Sequence, residues 1–314
     1  MKNKGKFFGA ILILLAILFG FDEDTIEKLK VSINQYTSDE VIVDKTFVPV
    51  ENADLMVYFL DVGQADSILV KSNSEYMLID AGNNEDGPKL VKYFESLGIE
   101  KFKYVIGTHA HEDHIGGMDD IINNFDVETF YMPDVITTTK TFEDVLDALD
   151  RKNMYFDVPV IGSNFNIGNS LVDVVYFDNN EEDLNTTSII LKLNYKNISV
   201  LFTGDTTSDV EKVIMNKDLE SDVLKVAHHG SRYSSSSSFL RKVKPKYAVI
   251  SVGVNNSYNH PHDEAINRLN KLGTEIYRTD ELGSIVLVSD GNNINFKNIN
   301  TDTDGNWLFS SFVI

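Results

Sequence analysis

The amino-acid sequence predicts a layered α/β sandwich, and three observations lead to it. From about residue 54 onward, short apolar runs bounded by turn residues alternate with segments of helical spacing. Several strand-like runs end at residues that carry chemistry. All seven histidines fall in three short clusters: His109, His111 and His114 in THAHEDHIGG, His228 and His229 in VAHHGS, and His260 and His262 in YNHPH. Mixed strands, interspersed helices and chemistry at strand ends together describe sheets covered by helices.

In chain order, MKNKGK places Lys2, Lys4 and Lys6 before an apolar run at 7–21, followed by FDED. Residues 1–21 therefore read as a signal peptide or signal anchor. No small-x-small cleavage site follows cleanly, which favours an uncleaved anchor, although the run is short for a full span. Lysines before it and acids after it put the rest of the chain outside the cytoplasm, secreted or membrane-anchored. Residues 22–53 are polar without a sustained period and read as a linker. The compact domain is expected at 54–298, and 299–314 as a C-terminal tail without an assigned role.

Within the domain, LMVYFLDV, SILVK and YMLID are three short strands separated by turns. Leu90, Val91, Phe94 and Leu97 give helical spacing over 88–97, closed by Gly98. A buried-type strand at 104–108 then delivers the first histidine cluster. Further strands are expected at 128–132, 170–177, 187–195 and 198–203, with a helix at 141–151. The second half alternates: helix 208–216, strand 222–227, helix 236–243, strand 246–252 and helix 262–272. Strands near 275–279, 283–288 and 292–297 close the domain.

Composition narrows the chemistry. With 28 basic and 48 acidic residues the net charge is −20. Such a surface repels polyanions and shows no basic stripe, so nucleic acid enters only as a substrate of a site that supplies its own positive charge. Zero cysteines excludes disulfides, thiolate ligands and a cysteine nucleophile. Any metal must be held by nitrogen and oxygen, which zinc and manganese both accept.

THAHEDHIGG is the strongest motif. In a loop leaving a strand, His109 and His111 at i and i+2 turn inward together, and Asp113 and His114 face a second position nearby. Gly116 and Gly117 let the backbone fold tightly before the next helix. In AHHGS one histidine is expected to be a ligand, because adjacent residues on a strand point to opposite faces. His229 is favoured, with His228 beside it to bind substrate or leaving-group oxygen. Ser231 and the serines of 234–238 suit capping of the following helix. The loop 255–260 carries many hydrogen-bonding groups and reads as a substrate-facing wall. In it Asn256 and Tyr258 are substrate contacts, and His260 is a general acid or oxyanion contact. His262, after Pro261 at a helix start, reads as structural.

The order LIDAG, THAHEDH, LFTGD and a late histidine resembles the metallo-β-lactamase superfamily of binuclear hydrolases. Within it, FLDVGQADSILV, AHHGS, SVGVNNSYNHPH and YRTDELGSIVLV are similar to the extracytoplasmic domain of ComEC-type DNA-uptake proteins, over about 55–297. The resemblance implies a four-layer αββα sandwich holding two divalent metal ions, zinc first and manganese as the alternative. It assigns His109 and His111 to one ion, Asp113 and His114 to the other, and Asp205 as the bridge. Asp80 is implied as a carboxylate that orients a ligand histidine. One departure stands out: no histidine occurs from 115 to 204, and Asn185 stands where one is usual. Asn185 is therefore expected to face substrate, and the first ion to have a sparser shell. Conversely His111, often replaced in ComEC-type domains, is present.

The function this implies is an exported binuclear hydrolase in which Asp113 orients the attacking water. A phosphodiester of extracellular nucleic acid or of the cell envelope is the expected substrate. Amide or ester hydrolysis of the β-lactam type, and a non-catalytic metal-stabilised module of a DNA-uptake or envelope assembly, are the alternatives.

Overall fold

A computed structural model describes residues 53–179 and 182–299. The anchor expected at 1–21, the linker up to residue 52 and the tail from residue 300 lie outside the described residues. Among the described residues no helix is long and apolar enough to cross a membrane.

The first half of the domain runs β1 (Leu55–Phe59), β2 (Ser67–Ser72), β3 (Glu75–Ala81), α1 (Gly87–Ser96), β4 (Lys101–Ile106), α2 (Glu112–Ile115), α3 (Met118–Asn124), β5 (Asp126–Tyr131) and α4 (Lys140–Arg151). The second runs β6 (Asn164–Ile167), β7 (Ser170–Tyr176), β8 (Ile190–Tyr195), β9 (Ile198–Phe202), α5 (Ser208–Val213), β10 (Val223–Lys225), α6 (Ser237–Val243), β11 (Tyr247–Ile250), α7 (Asp263–Asn270), β12 (Glu275–Arg278), α8 (Thr279–Leu282), β13 (Ser284–Ser289) and β14 (Ile294–Ile299). Among the described residues these strands form two seven-stranded sheets, ordered β14-β13-β1-β2-β3-β4-β5 and β12-β11-β10-β9-β8-β7-β6.

Strand alternation explains why the sheets stack. Val57 and Phe59 of β1 and Ile68 and Val70 of β2 turn to one side, where they meet Val172, Leu191, Val200 and Phe202 of the other sheet. Tyr58 and Leu69 turn to the opposite side and pack with Leu90, Phe94, Ile121 and Phe142 from α1, α3 and α4. On the outer face of the second sheet, Leu201, Leu224 and Ala248 pack with Val210, Leu240 and Leu269 from α5, α6 and α7. Three apolar layers between four structural layers make the expected αββα sandwich.

Each sheet is antiparallel at one side and parallel at the other. The pairs β3–β4, β4–β5, β9–β10, β10–β11 and β11–β12 are parallel. Parallel strands share one C-terminal edge, which is where open α/β sheets place their chemistry. Asp80 lies near the end of β3. His109, Asp205, His228 with His229, and His260 lie just beyond β4, β9, β10 and β11.

Several details depart from the sequence expectation. β6 was not anticipated; its NFNI is too short to show a period, and it forms through the turn at Gly168 that pairs Ile167 with Ser170. The strand expected at 222–227 ends at Lys225, and that at 246–252 ends at Ile250, because the chain leaves the sheet to form the site. A 3-10 turn at Leu184–Thr187 shortens the start of the strand expected at 187–195. Gly116 and Gly117 have φ −56° and −87°, so their role is space. A Cβ on Gly116 would lie 2.3 Å from the Asn83–Asn84 backbone, and one on Gly117 2.5 Å from the Ala81 carbonyl.

Candidate metal centre

Four residues from three elements converge at this edge. Asp113, His114, Asp205 and His229 bring one ligand-type atom each within 4.8 Å of one another. His114 Nε2 lies 3.3 Å from Asp205 Oδ1 and 3.9 Å from Asp113 Oδ2. His229 Nε2 lies 3.4 Å from Asp113 Oδ2 and 3.5 Å from Asp205 Oδ2. His109, His114, Asp205 and His229 are buried, whereas the Asp113 side chain keeps 31% of its surface exposed.

The hydrogen bonds behind these rings decide which nitrogen faces the centre. Asp80 accepts from the Thr108 amide, the Thr108 hydroxyl and His114 Nδ1, each at 2.8 Å. His114 therefore carries its proton at Nδ1 and turns Nε2 inward. Thr108 has spent its only hydroxyl proton on Asp80, so its oxygen accepts from His109 Nδ1 at 3.1 Å. His109 Nε2 is then the acceptor of the 3.0 Å bond to His111 Nδ1, which donates to it. His229 Nδ1 donates to the Ser251 carbonyl at 2.9 Å and likewise turns Nε2 inward. Such outward anchors are what orient histidine ligands of metals.

The inward atoms have no other use. His114 Nε2, His229 Nε2, Asp205 Oδ1 and Asn185 Oδ1 are buried without a hydrogen-bond partner. A buried polar atom left unpaired costs about 1–3 kcal/mol, so four together call for a ligand. Imidazole nitrogens and carboxylate oxygens within this spread fit a divalent cation of the zinc or manganese type.

Electrostatics point the same way. Burial disfavours charge on His114, yet the carboxylates of Asp205, Asp80 and Asp113 outweigh it and raise its pKa well above the usual 6.5. His229 is also raised, with burial opposed by Asp205 and Asp66. Burial pushes the Asp205 carboxyl up, but His229 and His114 prevail and hold it well below the usual range. Asp113 is lowered in the same balance, chiefly by His114. Positive charge is thus drawn to the spot where these residues meet. His109, by contrast, is pushed well below 6.5 by burial and by His114, and stays neutral.

The expected pairing of His109 with His111 is present, but neither belongs to the group of four. Asn185 lines the same pocket, of about 300 Å³, as His111, Asp113 and Asp205. On its other side stand His228, Tyr258 and His260. His228 Nε2 is 3.7 Å from Asp205 Oδ2, and the ring is kept neutral mainly by burial. His260, 5.5 Å from His228 between ring centroids, is lowered to about 4 by burial and by His228 and His229. The Gly253 amide donates to Gln64 Oε1, so Gln64 Nε2 donates to His260 Nδ1 at 3.4 Å. That leaves the His260 proton on Nε2.

Some expectations need correction. Asn256 holds its own loop together: its amide NH₂ donates to the carbonyls of Gly253 and His260, and its Oδ1 accepts from the His260 amide. His228 and His229 are not on a strand. Both adopt left-handed φ of 51° in a tight turn after β10, and this turn, not strand alternation, separates their rings. Ser236 caps α6, accepting from the Phe239 amide, while His262 stands at the N-cap of α7 without a side-chain cap bond, its Nδ1 accepting from the Arg232 amide. Ser188 was missed; its hydroxyl accepts from the Asp205 amide and lies 3.4 Å from His109 Nδ1. Asp66 and Lys225 were missed too, although a lysine inside the apolar run VLKVA was a visible anomaly.

Comparison with known proteins agrees with this geometry. The model of the family described as Metallo-beta-lactamase superfamily matches residues 60–254. The chain is 29% identical over 250 residues to ComE operon protein 3 of Bacillus subtilis, covering 73% of this chain and 32% of that protein. It is 28% identical over 244 residues to Competence protein ComA of Neisseria gonorrhoeae, covering 76% and 32%. It is also similar to Recombination protein 2 of Haemophilus influenzae, at 28% over 231 residues, covering 72% and 28%. The chain thus spans about a third of the length of these relatives. Among solved structures, the metallo-beta-lactamase fold protein YhfI of Bacillus subtilis superposes with a TM-score of 0.54 at 13% identity, covering 75% of this chain and 100% of that one. That likeness shows the fold. The family match, together with the convergent histidines and aspartates, places this chain in the metallo-β-lactamase superfamily of metal-dependent hydrolases, with ComEC-type competence proteins among its relatives.

Proposed function

We propose that this protein is an exported phosphodiesterase that uses two divalent cations, acting on extracellular nucleic acid or on phosphodiesters of the cell envelope. The observation that carries the reading is the set of unpaired, inward-facing atoms on His114, His229 and Asp205, beside the His109–His111 pair. Cations bound there supply Lewis acidity toward a phosphoryl oxygen and make water more acidic.

The chain's own residues supply the rest. Asp113, held ionised and partly exposed, accepts a hydrogen bond from the attacking water and orients it. His228 and His260 stand neutral on the facing wall. His260 presents Nε2–H to a substrate or leaving-group oxygen, and His228 takes or returns a proton there. Tyr258, stacked on His260 at 5.7 Å, and Asn185 bound the space that substrate occupies. Similarity to competence proteins supports a place outside the cytoplasm, and so does the basic-then-apolar start of the chain.

The test is direct. Purified protein with Zn²⁺ or Mn²⁺ should hydrolyse bis(p-nitrophenyl) phosphate, and no turnover with either metal removes the phosphodiesterase reading. One observation favours a second reading, a metal-stabilised accessory module: His109 and His111 stand outside the group of four. Saturation well below two ions per chain would favour that module.

A further inference from the structure

Behind the inward-facing group lies another convergence of ligand-type atoms, which adds Asp66, a residue the proposed reaction does not use, to Asp80 and His114. Asp66, Asp80 and His114 are all buried and bring one such atom each within 4.8 Å of one another. Asp66 is only 1% exposed, and no neutral hydrogen-bond donor satisfies either of its oxygens. Its close cationic partner is Lys225, with Nζ 2.6 Å from Oδ2 and the side chain fully buried. Asp66 also lies 3.5 Å from His229 Nδ1 and 4.0 Å from His114 Nδ1, at the backs of both ligand rings.

Packing does not account for this pair. Taking two charges out of water is costly, and apolar residues of the same volume often serve stability as well or better. What the ammonium does supply is a fixed positive charge on a carboxylate that a divalent cation would otherwise take. His114 belongs to both groups, Nδ1 behind and Nε2 in front. A cation captured behind would displace the Nδ1 proton that bonds Asp80, and with it the orientation of Nε2.

We propose that Lys225 is a built-in cation that neutralises Asp66, keeps divalent ions out of the Asp66–Asp80–His114 cluster and so confines them to the Asp113–His114–Asp205–His229 group. The proposal rests on that front group binding cations. Its readout is zinc per chain, so a failure of phosphodiester turnover bears on the proposed reaction alone.

The experiment measures zinc stoichiometry and affinity by equilibrium dialysis and chelator competition on the purified full chain. Wild type is compared with Lys225→Met, Asp66→Asn and the double variant. Lys225→Met is expected to hold one more zinc than wild type at the same free zinc. Asp66→Asn leaves the ammonium, still bonded to the Val226 carbonyl, without its counter-charge near His229, and is expected to weaken zinc binding by about 10-fold or more. The double variant, with both charges removed, should return to wild-type stoichiometry. These opposite signs are what a merely structural ion pair does not produce. Equal stoichiometry in folded Lys225→Met, or weakening in both single variants alike, overturns the proposal. If Lys225→Met does not fold without metal, recovery on refolding with zinc supports the proposal, and failure with and without zinc overturns it.

Discussion

Asp80→Asn isolates the step by which hydrogen bonding behind the site prepares the atoms in front of it. The substitution keeps the side-chain shape, and Asn tolerates the left-handed backbone at this position, φ 59°, as well as Asp does. The chemistry changes sharply. Asp80 accepts three hydrogen bonds at 2.8 Å, from the Thr108 amide, the Thr108 hydroxyl and His114 Nδ1. An amide has one oxygen, which the Thr108 N–H claims because a backbone donor cannot turn away. The NH₂ then faces His114 Nδ1–H, donor against donor. The imidazole escapes by moving its proton to Nε2, the atom that must offer a lone pair inward.

Losing one charge-assisted bond costs about 1.5–3 kcal/mol of folding stability. The wrong tautomer costs about 10–100-fold in zinc affinity, or roughly 1.4–2.7 kcal/mol. Urea unfolding of the metal-free protein reads the first quantity, and zinc competition reads the second. Reduced stability with unchanged zinc affinity would refute the tautomer argument, since the carboxylate would then be holding structure only.

Two further outcomes follow from the charge balance of the site. Ligation needs neutral Nε2 atoms, while His114 and His229 are held protonated above the usual 6.5. Zinc affinity should therefore fall as pH drops through those raised values and recover above them, with protons released on binding. Calorimetry in buffers of different ionisation enthalpy counts those protons, and binding without release contradicts the assignment. His260, neutral at pH 7 because its pKa lies near 4, should contribute to the rate rather than to folding. His260→Ala is expected to lower kcat about 100-fold, with the thermal midpoint little changed. A loss in KM alone would make His260 a binding contact only.

The motifs with local spacing were legible before any coordinates. THAHEDH carries its ligands within six residues, so its chemistry survives without knowledge of the fold, and Asp80 was recognisable through LIDAG. The strands β1 and β2 were likewise recognisable as apolar runs between turn residues, although two buried faces leave no alternation to say which side chain enters which layer. The reading failed where the deciding partner was remote. The sequence gives no sign that the Asn256 NH₂ is taken up by the carbonyls of Gly253 and His260. The separation of His228 from His229 was ascribed to a strand that ends before either is reached. Asp66 and Lys225 give no local sign of each other, since one lies in the turn before β2 and the other ends β10 of the second sheet.

By itself the sequence determined the inventory: nitrogen and oxygen ligands, no thiol, an acidic surface and a sandwich whose strands end at histidines. Those are properties of residue type and short-range period. The tertiary structure alone decided which lone pair of each imidazole faces inward, and which carboxylate is already held by an ammonium. Both depend on hydrogen bonds and charges contributed by distant segments, and the direction of a bond is settled only when donor and acceptor meet.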